Sequence, residues 1–161
     1  MKKLKFLSVL LVVFMLATLM VGCTSEEQDE LITYVEDTCD EFDDDHKEVI
    51  DLYNEAIKFD STESVIEALE KDVLPKSNAL IEKQKDIDFK NSKLEKVHGL
   101  LIESLELEHK AYETMLTLQK EDNSLLVDKI EEYFDDASEK FDEYLDKREK
   151  LATDLDVEFE D

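Results

Sequence analysis

The chain has little glycine, proline or cysteine, and it has no tryptophan. Its 161 residues include 2 glycines, 1 proline and 2 cysteines. Sheets joined by tight turns usually need more glycine and proline than this. Glutamate, lysine and leucine are abundant, and a composition so poor in helix breakers favours long helices. We therefore expect an all-α protein.

Positive charge is scarce as well. The chain carries 44 acidic and 19 basic residues, and its formal net charge is −25 at pH 7. Such a surface repels nucleic-acid phosphates, so a nucleic-acid partner is excluded. It also repels anionic lipid headgroups, and we expect it to hold the protein body away from a membrane surface.

The one long apolar run lies at the N-terminus. Residues 6–20 carry no charge and follow a start that contains three lysines. This run is too short for a membrane-spanning helix, which needs about 20 residues. A basic start, a short apolar run and then small residues are typical of a secretory signal peptide. We predict that residues 1–22 are a cleaved signal peptide; an uncleaved N-terminal anchor is an alternative.

A cysteine stands where the apolar run ends. The stretch Met20-Val21-Gly22-Cys23 resembles the lipobox of bacterial lipoproteins, although Met20 occupies the usual leucine position. The resemblance implies that the Cys23 thiol carries a diacylglycerol and that the chain is cut before it. Two acyl chains anchor a protein stably, because each buried CH₂ contributes about 0.8 kcal/mol. An ordinary signal peptide with an incidental cysteine is the alternative.

The lipobox resemblance sets the expected location and boundaries. The protein is predicted to sit on the extracytoplasmic face of the cell membrane, held by lipid on Cys23. Residues 23–30 would form a lipidated acidic leader, and residues 31–161 a helical domain. Removal of residues 1–22 takes away three lysines and no acidic residue, which lowers the formal charge from −25 to −28.

The rest of the chain predicts an antiparallel, up-down bundle of four helices. The first helix, from about Glu26 to Phe59, has an inward seam with the 3.5-residue period of a bundle. The seam consists of Val35, Cys39, Phe42, His46, Val49, Tyr53 and Ala56. Short connections force neighbouring helices to run in opposite directions. A three-helix bundle with a broken second element is the alternative.

Several residues are expected to cap or interrupt the predicted helices, and one acidic residue falls on an apolar face. Asp60 and Ser92 are expected to cap the second and third helices, because each is followed three residues later by a glutamate. Pro75 should kink or break the second helix, since proline removes a helical hydrogen bond. Glu108 falls on the apolar face of the third helix, where a carboxylate must be paired or protonated. With His46 it could form a polar pocket, or it could lie at a solvated edge.

Each histidine follows an acidic residue by three positions, a spacing at which both can bind one metal on a helix. The pairs are Asp43 with His46, Glu95 with His98, and Glu106 with His109. Di-iron bundles draw such pairs from two helices, whereas the last two pairs here share one helix. A site that combines Asp43, His46, Glu106 and His109 across two helices is the alternative function, a metal-binding bundle. In a chain this acidic the spacing also arises by chance, and our main prediction includes neither metal nor cofactor.

The mature chain resembles the small helical lipoproteins of Gram-positive bacteria, including those described as cell-wall-binding. The resemblance lies in the lipidated cysteine, the acidic leader and amphipathic segments such as "LPKSNALIEKQKDI" and "LEKVHGLLIESLEL". Catalytic motifs are not found, and Cys39 is expected to be a buried small hydrophobe. The predicted function is therefore non-enzymatic binding of a protein or envelope component through the helical body. Phe89, Leu100, Leu107 and Leu118 lie outside the seams and could form the binding patch.

Overall fold

The described residues of the computed structural model, 25–121 and 123–158, form helices and no strands. The α-helical segments are α1 Glu26–Thr33, α2 Asp40–Ala56, α3 Thr62–Ala68, α4 Leu74–Lys85, α5 Ser92–Glu121 and α6 Leu126–Asp154. A first π-helical segment, Tyr34–Cys39, joins α1 to α2, and a second, Leu69–Val73, joins α3 to α4. These parts make four long helices, which confirms the predicted all-α bundle.

The chain runs up and down between two ends of the bundle. The connection between α4 and α5 lies at the same end as Ser25, which is called the N-terminal end below. The connections after Ala56 and after Glu121 lie at the opposite, distal end. The 29 residues of α6 give the bundle a length of about 43 Å at 1.5 Å per residue.

The predicted seam of the first long helix is confirmed residue by residue, because all seven of its members are buried. The seams of the later helices supply the rest of one continuous core, with Leu94, Leu101 and Tyr112 of α5 among its most buried members. Between α5 and α6 the packing is tight: Ser104 donates a hydrogen bond of 2.7 Å to the backbone oxygen of Ala137. Small side chains at this contact let the two helices approach closely.

Pro75 neither breaks the second helix nor ends it. It occupies the first turn of α4, directly after the second π-helical segment. Proline cannot donate to the carbonyl one turn earlier, and its ring crowds that carbonyl. A widened π turn at this point accommodates both effects, so the interruption that we predicted takes the form of a π bulge.

Both predicted helix caps are displaced by one residue. The side chain of Ser61, rather than Asp60, accepts from the N–H of Ser64 and caps α3. At α5, Asn91 Oδ1 accepts from the N–H groups two and three residues later, at 2.9 and 3.4 Å. Ser92 is therefore the first residue of the helix and not its cap.

Candidate functional site

Cys23, the predicted lipid-attachment residue, lies outside the described residues, which begin two positions later at Ser25. Ser25 caps α1 in a reciprocal arrangement: its hydroxyl accepts from the N–H of Gln28, whose side chain accepts from the Ser25 N–H. The helix thus begins at Glu26, five residues before the predicted domain boundary.

Two side chains tie α1 to the rest of this end. Gln28 donates from Nε2 to the backbone oxygen of Leu155 at 2.6 Å. The carboxylate of Glu30 accepts from the backbone N–H groups of Lys90 and Asn91, at 2.6 and 2.9 Å. Helix α1 is therefore held both to the end of α6 and to the connection 86–91.

A groove of about 450 Å³ opens between α1, the first π-helical segment and the connection 86–91. Four carboxylates and one lysine are among the residues that line it: Glu26, Asp29, Glu30, Thr33, Tyr34, Thr38, Ile87, Asp88, Phe89 and Lys90. The groove is thus predominantly acidic, with two aromatic rings in its wall.

Inside the bundle, a buried ion pair joins α2 to α5. His46 Nε2 lies 2.7 Å from Glu108 Oε2, and the Tyr112 hydroxyl donates to the other carboxylate oxygen at 2.7 Å. His46 stacks on Phe42, with ring centroids 5.2 Å apart. The structure thus brings together the two seam residues that the sequence marked as unusual, and it gives Glu108 the histidine partner that it needs.

The pKa values of this pair shift in opposite directions. Burial acts to lower the pKa of His46, but the Glu108 carboxylate outweighs it and raises that pKa above its ordinary value. Burial acts to raise the pKa of Glu108, but His46 and the hydrogen bonds from His46 and Tyr112 lower it instead. Burial, with Glu108 nearby, also raises the pKa of Tyr53 to about 12. Both shifts therefore favour the charged form of the pair, and the adjacent tyrosines are protonated.

A network of polar side chains, separate from the His46–Glu108 pair, crosses the bundle nearer its N-terminal end. The Tyr34 hydroxyl lies 2.9 Å from His98 Nδ1 and 3.1 Å from the Tyr144 hydroxyl. Arg148 Nη1 donates to the Tyr144 oxygen at 3.3 Å and to Cys39 Sγ at 3.6 Å. This polar network therefore links the first π-helical segment, α5 and α6 through side chains alone.

The hydrogen-bond directions in this polar network follow from the groups at its two ends, the Gln84 carbonyl and the Arg148 guanidinium. His98 Nε2 lies 2.9 Å from the backbone oxygen of Gln84, which can only accept, so Nε2 carries a proton. Burial lowers the pKa of His98, so the ring is neutral and Nδ1 accepts from the Tyr34 hydroxyl. The Tyr34 oxygen then accepts from Tyr144, whose oxygen accepts from Arg148.

Asp43 interacts electrostatically with both polar groups, with His46 of the ion pair and with Arg148 of the polar network. Burial raises its pKa to about 6, whereas the charges of Arg148 and His46 act to lower it. The only arginine of the chain thus serves an interior role: its guanidinium stacks over the Tyr144 ring at 5.3 Å and faces Asp43 and Cys39. Burial raises the pKa of the Cys39 thiol, so the expected role of Cys39 as a small buried side chain fits the structure.

The structure does not assemble the four candidate metal ligands. His46 is engaged by Glu108, His109 lies 3.0 Å from the Ser77 hydroxyl, and Glu106 pairs with Lys85 at 2.9 Å. Over residues 25–121 and 123–158, no group of three or more histidine, cysteine, aspartate or glutamate side chains could hold a metal ion. The geometry therefore offers no support for the alternative of a metal-binding bundle.

The apolar residues expected to form an exposed patch are partly covered. Phe89 and Leu100 pack against the core, and Leu107 and Leu118 are half-buried. The exposed large hydrophobic side chains of the described part are instead Ile57, Phe59 and Leu125, at 39 %, 51 % and 82 % exposure. All three belong to the connections at the distal end, because the first long helix ends at Ala56 and not near Phe59 as predicted.

The described helices are also too short or too polar to cross a lipid bilayer. Sequence reasoning missed Tyr34, Tyr144 and Arg148 as a polar cluster. The one available signal was the presence of a single arginine among many lysines, since a guanidinium suits buried, multiply bonded positions better than an ammonium group does. Comparisons of the chain with protein-family models, curated proteins and solved structures find no match.

Proposed function

We propose that this protein is a lipoprotein anchored to the extracytoplasmic face of the cell membrane through lipid on Cys23, and that its helical body binds a protein or another envelope component without catalysing a reaction. The observation that carries the proposal is the Met20-Val21-Gly22-Cys23 stretch behind a basic, then apolar, N-terminus. The start of a capped helix at Glu26, three positions after Cys23 in the sequence, is compatible with it.

Charge and geometry support an upright orientation on the membrane. The first turn of α1 contains Glu26, Glu27 and Asp29, next to the proposed lipid. Acidic side chains here stabilise the helix N-terminus and are repelled by anionic headgroups, so the lipid holds the bundle close while its charge keeps it off the surface. The distal end would then stand about 40 Å from the membrane.

The distal end carries the surface best suited to a partner. Ile57, Phe59 and Leu125 lie in the two connections at this end. Exposed apolar side chains at one end of a bundle favour association with a partner there. Buried groups such as His46 and Glu108 bond to each other, which favours binding by the outer surface over chemistry in the interior.

Replacement of Cys23 by alanine tests the anchor. We expect Cys23→Ala to abolish incorporation of labelled fatty acid, and to release the protein into the medium or leave an unprocessed precursor. Cys39→Ala is the matched control, because it removes the other, buried cysteine and should leave lipidation and membrane recovery unchanged. Unaltered processing and membrane attachment of Cys23→Ala would rule out the lipoprotein assignment.

Variants of the distal end test the binding role. Cross-linking on intact cells should capture a partner with the wild type and lose it with Phe59→Ser combined with Leu125→Ser. The control combines Lys58→Ser with Ser124→Ala, which changes neighbouring exposed residues of the same connections without removing apolar surface. Equal capture by both double variants would show that this end does not carry the binding.

A further inference from the structure

His98 is buried among neutral groups. His98 is only 2 % exposed. One ring nitrogen is hydrogen-bonded to the Gln84 carbonyl and the other to the Tyr34 hydroxyl. The rings of Tyr34 and Phe89 pack against it, with centroids 5.5 and 5.0 Å from its own. The Gln84 hydrogen bond by itself favours a charged ring, but burial outweighs it, so the site as a whole favours the uncharged imidazole.

The groups that face His98 can be followed element by element. The first π-helical segment presents Tyr34, α4 presents the backbone oxygen of Gln84, and the connection 86–91 presents Phe89. From α6, Tyr144 reaches it through Tyr34, and the first charged group along that path is the Arg148 cation. His98 thus has no facing carboxylate in this network, whereas His46 has Glu108.

We propose that His98 is an acid-sensitive lock on the N-terminal end of the bundle, and that its protonation releases the connection 86–91 from α1 and the first π-helical segment. A protonated ring would place a second N–H against the Tyr34 hydroxyl, from which Nδ1 accepts a hydrogen bond in the neutral ring. Tyr34 could turn its proton toward Tyr144, but the imidazolium would still be buried without a counter-charge, which is strongly unfavourable. Separation of the packed elements lets water solvate the charge instead.

The position of His98 beside the acidic groove determines what its protonation would change. Phe89 and Tyr34 flank His98 on one side and line the acidic groove on the other. Glu30 holds the same connection through the N–H groups of Lys90 and Asn91. Release of His98 therefore changes the shape of the groove and exposes Phe89. The inference concerns this end of the bundle alone and does not depend on lipid at Cys23 or on a distal partner.

The size of the effect follows from linkage. Burial lowers the pKa of His98 in the folded protein, so the opened state binds a proton that the closed state does not. Below the ordinary histidine pKa of about 6.5, the opening equilibrium constant should rise by up to about tenfold per pH unit. The rise continues until the pH reaches the pKa of His98 in the closed state.

Hydrogen exchange measures this opening directly. The full chain is purified from whichever cell fraction contains it, and amide protection factors over residues 86–98, corrected for intrinsic exchange rates, are compared between about pH 7 and about pH 5. We expect protection to fall with pH in the wild type and to stay constant in His98→Gln, which keeps polar atoms but does not titrate. His109→Gln on the same helix is the matched control and should behave as the wild type does.

Nuclear magnetic resonance of the wild-type histidines removes dependence on a variant that might not fold. His98 should show the tautomer protonated on Nε2 at neutral pH, and its resonance should report a neutral ring in the closed state below the ordinary histidine pKa of about 6.5. A titration midpoint of His98 near the ordinary histidine value of about 6.5, or protection over 86–98 that is independent of pH or falls equally in His98→Gln, would overturn the proposal.

Discussion

Substitution of Glu108 by glutamine tests whether the buried ion pair stabilises the bundle. Glu108 accepts hydrogen bonds from both His46 and Tyr112, and its side chain is 15 % exposed. Glutamine keeps the shape but offers one acceptor oxygen to two donors and no counter-charge. We expect the free energy of unfolding to fall by about 1–3 kcal/mol, the range for losing a hydrogen bond to a charged group and leaving its partner unsatisfied. The complete removal of one partner of a buried pair sets an upper bound of about 5 kcal/mol.

The effect should depend on pH in a defined window. The raised pKa of His46 means that its stabilisation is complete below the unfolded value of about 6.5 and is lost as the pH rises through the folded pKa. The lowered pKa of Glu108 means that its stabilisation is present above about 4.5 and is lost as the pH falls through the folded pKa. The difference between wild type and Glu108→Gln should therefore be greatest between about pH 4.5 and 6.5 and smaller above about pH 8.

Urea unfolding, followed by circular dichroism at several pH values, measures this difference. Glu106→Gln is the matched control: the residue lies on the same helix and pairs with Lys85, but its side chain is 42 % exposed. Exposed pairs contribute about 0–1 kcal/mol, so the control should change stability little. Equal stability of the two variants at every pH would refute the conclusion that the Glu108 charge is needed inside the bundle.

Two further predictions follow from buried side chains. The Cys39 thiol should react with a disulfide reagent at least about a hundredfold more slowly in the folded protein than in denaturant, because it is buried and its pKa is raised; similar rates in both states would contradict its burial. Asn91→Ala should lower the free energy of unfolding by about 1 kcal/mol through loss of the α5 cap, whereas Ser92→Ala should change it by less than about 0.5 kcal/mol. The reverse order of these two effects would make Ser92 the cap after all.

The seam of the first long helix shows how far local pattern reaches. Its members recur every three or four residues, and such spacing places them on one side whatever the neighbouring helices are. The seam prediction nevertheless missed Leu31 and Tyr34, which are both buried. The first π-helical segment begins at Tyr34, and its wider turns change the direction in which successive side chains point. A regular helical period therefore identifies Val35 and Cys39 in this segment but does not show that Tyr34 also faces inward. Leu31 lies before the segment, four residues ahead of Val35, and continues the same seam.

Glu108 shows the complementary limit. Its place on an apolar face predicts that it needs a partner, because a lone buried carboxylate is too unfavourable to persist. The choice of His46, 62 positions away, depends on the relative register of α2 and α5. That register results from packing along the whole bundle, and no short segment contains it.

The sequence by itself determined the helical class and most of the core, because both depend on composition and local periodicity. The signal peptide and the lipid attachment at Cys23 are predictions that depend on a short contiguous motif alone. Only the tertiary structure decided that His46 meets Glu108, that His98 joins Tyr34, and that the candidate metal ligands His46, Glu106 and His109 have separate partners. Polar contacts between helices require agreement in register, rotation and depth among distant segments. The free energy of packing sets all three together, after the local pattern has determined which faces turn inward.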